Sequence, residues 1–338
     1  MIRRPDPSLL DLYDALLLDL DGTLMHGAAP IPHAAAAVDR ARAAGTTVVF
    51  ATNNASRTPR QAAEHLAQVG VAAQPEEFVT SPQVASRLLA DRLEPGQKVL
   101  VVGGESLAAE IRESGLEPVT TDSPDVVAVV QGWSPTLDWS ILAEGAYAIG
   151  HGAWWMATNI DATLPTERGM APGNGAMVAA LRHATGVEPA VAGKPEPGMF
   201  TVAARDASSR RPLIIGDRLD TDIEGAVRAG MDSLLVLTGV DGIDAALRAD
   251  PVRRPTFILS DLSELGAPFP LPVLDGDRVR CGAVGARWVD GDIVLTGRLG
   301  DPRVLRAVLA LLHARAAQGP WTGRLLDREG TEQRPNDR

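Results

Sequence analysis

At 338 residues, with 45% apolar and 22% charged side chains, the chain has the balance of a soluble globular protein of two or three domains, not of a disordered or membrane one. A formal charge of −11 argues against a nucleic-acid surface of clustered Lys and Arg, and no apolar run approaches the ~20 residues that span a bilayer. Cys281 is the only cysteine, which excludes an intrachain disulfide and a thiolate metal cluster, and MIRRPDPSLL leads into no apolar stretch before Asp11, so a cytoplasmic protein is expected.

In chain order, Ala15–Leu20 and Thr46–Asn53 read as buried strands joined by an alanine-rich helix over Pro32–Ala44, which Gly45 closes. Strand, helix, strand at this spacing is a βαβ unit and implies parallel strands. A stretch with its own alternation follows, with helices at Pro82–Leu93, Leu107–Ser114 and Leu137–Ala148 and strands at Val99–Val102, Val126–Val130 and Trp154–Thr158. The first pattern then returns in Pro212–Asp217, Thr221–Gly230, Ser233–Leu237 and Thr256–Leu259. Beyond the linker-like GAPFPLP (266–272), a hairpin is expected from Val279–Trp288, a turn at Asp290–Asp292 and Ile293–Leu295, then a helix from Pro302 to Ala317. The expected fold is α/β: a Rossmann-like parallel-sheet core (1–80 and 187–262), an inserted α/β cap domain (81–186), a linker (263–272) and a small α+β C-terminal domain (273–338).

Four short motifs carry the chemistry. In LLLDLDGTL, Asp19 and Asp21 lie two apart, so a strand continuing through them would turn both carboxylates to one side at the carboxyl end of the sheet, where open α/β sheets bind ligands. Two acids there call for a cation, and magnesium suits carboxylates and phosphate oxygens better than zinc does. Gly22 permits a tight turn after them and Thr23 can anchor it. The second motif, Thr52-Asn53-Asn54, closes the next strand with neutral donors able to hold phosphoryl oxygens. The third is GKPEP: in a chain whose only lysines are Lys98 and Lys194, Lys194 stands between a glycine and a proline just before a helix. A compact ammonium there suits a phosphate or a carboxylate pair. The fourth, GDRLDTD, follows an apolar strand; helix capping explains Asp220 and less readily Asp217, while Leu219 at position three excludes an EF-hand loop.

Other features have plainer readings. Val102–Ser106, VGGES, lacks both phosphate-loop signatures and reads as an ordinary strand–helix turn. His26 and His151 belong to no HExxH pattern, and Trp133, Trp139, Trp154 and Trp155 read as core of the inserted stretch.

The ordered set DxDGT, TNN, GKP and GDxxxTD resembles the haloacid-dehalogenase superfamily of phosphatases over about residues 14–262. The insertion, with ATNIDATLPTERGMAPGNGAM at 157–177, resembles the cap of the subfamily of 4-nitrophenyl, nucleotide mono-, phosphoglycolate and glycerol-3-phosphate phosphatases. With its tail, the chain is most similar to the actinobacterial glycerol-3-phosphate phosphatases. The resemblance implies that Asp19 is the nucleophile and forms an aspartyl-phosphate, that Asp21 protonates the leaving alkoxide and then activates water, and that Thr52 and Asn53, with Asn54 beside them, hold the phosphoryl group. Lys194 would pair with the phosphoryl oxygens and orient Asp19. Mg2+ would be bound by Asp19, the Asp21 carbonyl and Asp217, with Asp222 as a near partner. The implied reaction is magnesium-dependent hydrolysis of a small phosphomonoester, glycerol 3-phosphate first, with phosphoglycolate or a nucleotide as alternatives. No nucleic-acid or membrane partner is expected, and a homo-oligomer is compatible with the sequence.

Two other classes fit part of the pattern. A phospho-aspartate signalling module shares the acids and the lysine, but Asp21 and the large insertion count against it. A binding protein without turnover would not need the complete set. The tail resembles part of an acetyltransferase-like fold, yet LGDPRVL (299–305) offers no glycine-rich pyrophosphate loop, so no acetyl-CoA chemistry is expected.

Overall fold

The computed structural model describes residues 6–54, 57–166, 168–315 and 319–334, and these divide into two compact units. The first takes the described residues within 1–50, 65–73 and 203–338, and the second those within 51–64 and 74–202.

In the first unit, parallel strands lie in the order Phe257–Leu259, Asp232–Val236, Pro212–Gly216, Ala15–Leu18 and Thr47–Thr52, the last running on into the second unit at Ala51. The central strand, Ala15-Leu-Leu-Leu18, is buried at all four positions, as expected of a parallel strand covered on both faces. It pairs in register with Leu213–Ile215 on one side and Val48–Phe50 on the other. The strand ends at Leu18, two residues earlier than the sequence suggests, because the chain turns at Gly22 with φ +83°.

The C-terminal segment forms a five-stranded sheet, Val273–Asp275, Arg278–Cys281, Val284–Val289, Asp292–Thr296 and Leu325–Leu326. The expected arm Val279–Trp288 is thus two strands, broken at Gly282, whose positive φ makes a turn. Helix Pro302–Ala314 lies against this sheet, and its expected end at Ala317 falls outside the described residues. The same helix also packs on strand Phe257–Leu259, and one apolar cluster joins Leu235, Leu247 and Ile258 to Ile293, Val308 and Leu309. Arg254, 1% exposed, ties the two parts by donating to the carbonyls of Ala249, Leu312 and Gly319 at 3.0, 3.1 and 3.3 Å. The 266–272 segment is not a free tether: Phe269 is buried and its N–H donates to Pro7 O at 2.7 Å.

The second unit holds a parallel sheet in the order Ala190–Val191, Trp154–Ala157, Val126–Gln131, Lys98–Val102 and Glu117–Val119. Helices Trp139–Gly150 and Asn174–Thr185 cover one apolar cluster on it, around Leu100, Val129, Trp155 and Leu181. An antiparallel pair, Thr163–Thr166 with Gly169–Pro172, is an addition the apolar pattern does not announce. Among the described residues, no helix is long and apolar enough to cross a membrane.

The shared cluster gives a direct expectation. A chain ending at Pro272 uncovers Leu235, Leu247 and Ile258 and should aggregate or bind a hydrophobic dye strongly, measured by size-exclusion chromatography and dye fluorescence. A soluble, dye-silent truncated chain would mean that the tail is dispensable to the core.

Candidate active site

In the first unit the strand order reverses between Ala15–Leu18 and Pro212–Gly216, and a crevice opens at such a switch point beyond the carboxyl ends of the strands. Asp19 follows the first of these strands and Asp217 the second, while Asp222 comes from the helical turn Leu219–Ile223. Carboxylate oxygens of the three lie within 4.8 Å of one another, and Asp217 and Asp222 are each 1% exposed. Among the described residues this is the one group of three or more acidic, His or Cys side chains close enough to share a cation. Hard oxygen donors without imidazole or thiolate suit magnesium or calcium.

The surroundings hold these acids in place. Asp217 Oδ2 accepts the Val240 N–H at 2.8 Å and Asp222 Oδ2 accepts the Arg218 N–H at 3.2 Å. The same 237–242 loop reaches Gly22, whose carbonyl accepts the Thr238 hydroxyl at 2.7 Å. Two glycines make the approach possible: a Cβ on Gly22 would sit 2.2 Å from Asp217 Oδ2, and one on Gly239 only 1.9 Å from it. Arg218 forms a forked pair with Asp220 at 2.9 and 3.0 Å; that bond, and further the charges of Asp217 and Asp222, hold its guanidinium more firmly protonated than usual.

Asp21 is placed differently from the expectation of two acids on one strand. With the strand ended at Leu18, Asp21 is exposed, bridges to Met25 just before the turn and lies outside the three-carboxylate group, and its Oδ1 accepts the Gly27 N–H at 3.1 Å. Asp222, expected as a near partner, is a full member of the group. Glu224 escaped the sequence reading altogether. Buried at 4% exposure, it accepts from Arg253 at 2.6 Å and from Arg228, anchoring the turn that carries Asp222, and only its place two residues after Asp222 could have flagged it.

The second unit carries the neutral and cationic groups. Thr52 is 7% exposed, and its Oγ1 accepts the Asn54 N–H at 3.1 Å, leaving its own proton to donate elsewhere. Lys194 is 3% exposed, and its Nζ donates to Ala51 O at 3.2 Å. The Asn53 amide is turned to the main chain of Lys194 and to Asp161. Asn159 and Asn174, both within the 157–177 run, continue this network: Asn159 donates to Asn53 O at 3.0 Å and Asn174 to Asn159 O at 2.7 Å.

The remaining candidates lie elsewhere. The glycine turn of VGGES is packed, since a Cβ on Gly103 would meet Leu107 Cδ2 at 3.0 Å and Gly132 O at 3.3 Å. His26 is exposed, and His151 pairs with Asp122 at 2.9 Å. Trp155 is core as expected, whereas Trp139 is 78% exposed.

Comparison with known proteins places this geometry. A model of haloacid dehalogenase-like hydrolases matches residues 16–117, and a second model, HAD-hydrolase-like, matches 191–265. The chain is 47% identical over 328 residues to the D-glycerol 3-phosphate phosphatase of Mycobacterium tuberculosis, covering 95% of this chain and 89% of that one. It is 35% identical to the 5'-nucleotidase YutF of Bacillus subtilis over 75% of this chain and 97% of the other. Among solved structures, the glycerol phosphate phosphatase of M. tuberculosis in complex with magnesium superposes with a TM-score of 0.85 at 44% identity, covering 96% of this chain and 97% of that chain. The same protein in complex with calcium gives 0.83. With matched segments on both sides of the insertion and a relative this similar along nearly its whole length, the chain belongs to the haloacid dehalogenase-like hydrolase family.

Proposed function

We propose that this protein is a magnesium-dependent phosphomonoesterase that hydrolyses glycerol 3-phosphate to glycerol and phosphate through a phosphorylated Asp19. The observation that carries this reading is the convergence of Asp19, Asp217 and Asp222 at the switch point of the sheet. Similarity to a D-glycerol 3-phosphate phosphatase supports the choice of substrate.

In the first displacement an Asp19 carboxylate oxygen attacks phosphorus, the bond to the glycerol oxygen breaks, and Asp21 gives its proton to the departing alkoxide. In the second, Asp21 takes a proton from water, whose oxygen attacks phosphorus, and the acyl-phosphate bond breaks to restore the Asp19 carboxylate. Splitting the transfer in this way replaces one hard step by two easier ones, each governed by positioning and charge neutralisation. The Gly27 N–H that holds Asp21 Oδ1 fixes the orientation of the acid. The Thr52 hydroxyl, the main chain at Asn53 with Asn54 beside it, and the Lys194 ammonium take the phosphoryl oxygens. The carboxylates of Asp19, Asp217 and Asp222, with the Asp21 carbonyl, would hold magnesium, which when bound offsets the repulsion between an anionic nucleophile and an anionic phosphate. With one cysteine and no implied membrane partner, the reading takes the enzyme to act on a small metabolite in the cytoplasm.

Phosphate release from glycerol 3-phosphate should require added magnesium, stop on chelation and fall by at least about 10³-fold in Asp19→Asn. Metal-independent turnover, or a variant as fast as the parent, contradicts the reading, and a higher kcat/KM for phosphoglycolate or a nucleoside monophosphate reassigns the substrate. Because a Cβ at position 239 would collide with Asp217, Gly239→Ala should weaken magnesium binding about 10–100-fold in calorimetric titration while the chain stays folded by circular dichroism.

A further inference from the structure

The side-chain amide of Asn53 is engaged at both ends. Its Oδ1 accepts the main-chain N–H of Lys194 at 2.8 Å, and its Nδ2 donates to the Lys194 carbonyl at 3.0 Å and to Asp161 Oδ1 at 3.3 Å. One planar amide therefore matches the donor and the acceptor of a single residue, as a neighbouring strand would. Gly193 makes room for it, since a Cβ there would lie 2.5 Å from Asn53 Oδ1. The Asn53 carbonyl in turn accepts from Asn159 Nδ2 and Ser81 Oγ, both at 3.0 Å. With Ala51 O accepting from Lys194 Nζ at 3.2 Å, the end of one strand grips this buried lysine at its main chain and at its ammonium.

We propose that Asn53 is a positioning residue whose side chain sets the place of the Lys194 ammonium, not a ligand of the phosphoryl group. The inference rests on the phosphatase reading for its kinetic consequence but not for its structural one. An aspartate keeps the acceptor and loses the donor, a leucine loses both, and alanine leaves the Lys194 peptide without either partner. A shift of about 1 Å in a charged group can cost about 100-fold in rate, so the function of the lysine depends on an amide that never touches substrate.

Because Lys98 and Lys194 are the only lysines, nitrogen-15 labelling of lysine side chains gives two ammonium signals, told apart by Lys98→Arg. Asn53→Ala should move the Lys194 signal while leaving that of Lys98 in place. In the same variant kcat/KM for glycerol 3-phosphate should fall about 10–100-fold. Added to Lys194→Met, Asn53→Ala should cost less than about twofold more, because both changes remove one function. An unmoved Lys194 signal, or losses that multiply, overturns the proposal and returns Asn53 to the phosphoryl group. Should Asn53→Ala fail to fold by circular dichroism, Asn53→Asp carries the same comparisons, with a displaced Lys194 signal expected and an unchanged one refuting. A parent protein inactive on every phosphomonoester would sink the phosphatase reading alone, and the nitrogen-15 signals would still decide the clasp.

Discussion

Three carboxylates held within 4.8 Å, two of them almost wholly buried, are the constraint around which the first unit is arranged. At an effective dielectric near 20, each pair of like charges at about this distance repels by roughly 3–4 kcal/mol. Such a group persists only where the surrounding scaffold leaves it no room to spread. Here the strands supply two of the acids, the helical turn supplies the third, the 237–242 loop holds Asp217 with the Val240 N–H and the Arg218 N–H holds Asp222. The glycines at 22 and 239 are part of that closure, because any side chain would fill the space the Asp217 carboxylate occupies. Glu224 and its two arginines stiffen the turn from behind.

The second unit meets the opposite electrostatic task. A lysine at 3% exposure needs acceptors for its ammonium, and it finds one in a strand-end carbonyl. Side-chain amides bind its main chain and link the TNN segment to the 157–177 run through Asn159 and Asn174. Paired neutral groups of this kind add little charge that must be stripped of water.

Much of this was legible because parallel strands buried on both faces leave apolar runs that a sequence cannot hide, and two acids of the cluster, Asp19 and Asp217, follow such runs directly. Ala15–Leu18, Val126–Gln131 and Pro212–Gly216 were readable for that reason. The direction of Asp21 was not, because period-two alternation holds only while the strand lasts, and this one stops at Leu18. Asp222 was obscured by helix chemistry: acids at the start of a helix are favoured by the backbone dipole whether or not they bind anything. The amide of Asn53 could not be assigned from its neighbours in sequence, since its partner is Lys194. Apolar positions on Pro302–Ala314 announce that the helix is covered, but only coordinates reveal that Ile258 shares the cluster.

The pairing of Ala15 with Pro212 has a consequence for how the chain reaches this structure. The middle of the first sheet joins segments that flank nearly all of the second unit, so it cannot zip up until that intervening stretch has been synthesised. Once folded, the second unit holds Ala51 beside Lys194, so that with Ala15 already paired to Thr47 the closure that brings Pro212 to Ala15 falls from well over a hundred residues to about twenty. Each halving of an effective loop lowers the closure cost by about 0.6 kcal/mol, so the saving is roughly 2 kcal/mol. The inserted stretch thus shortens the loop that the first sheet must close.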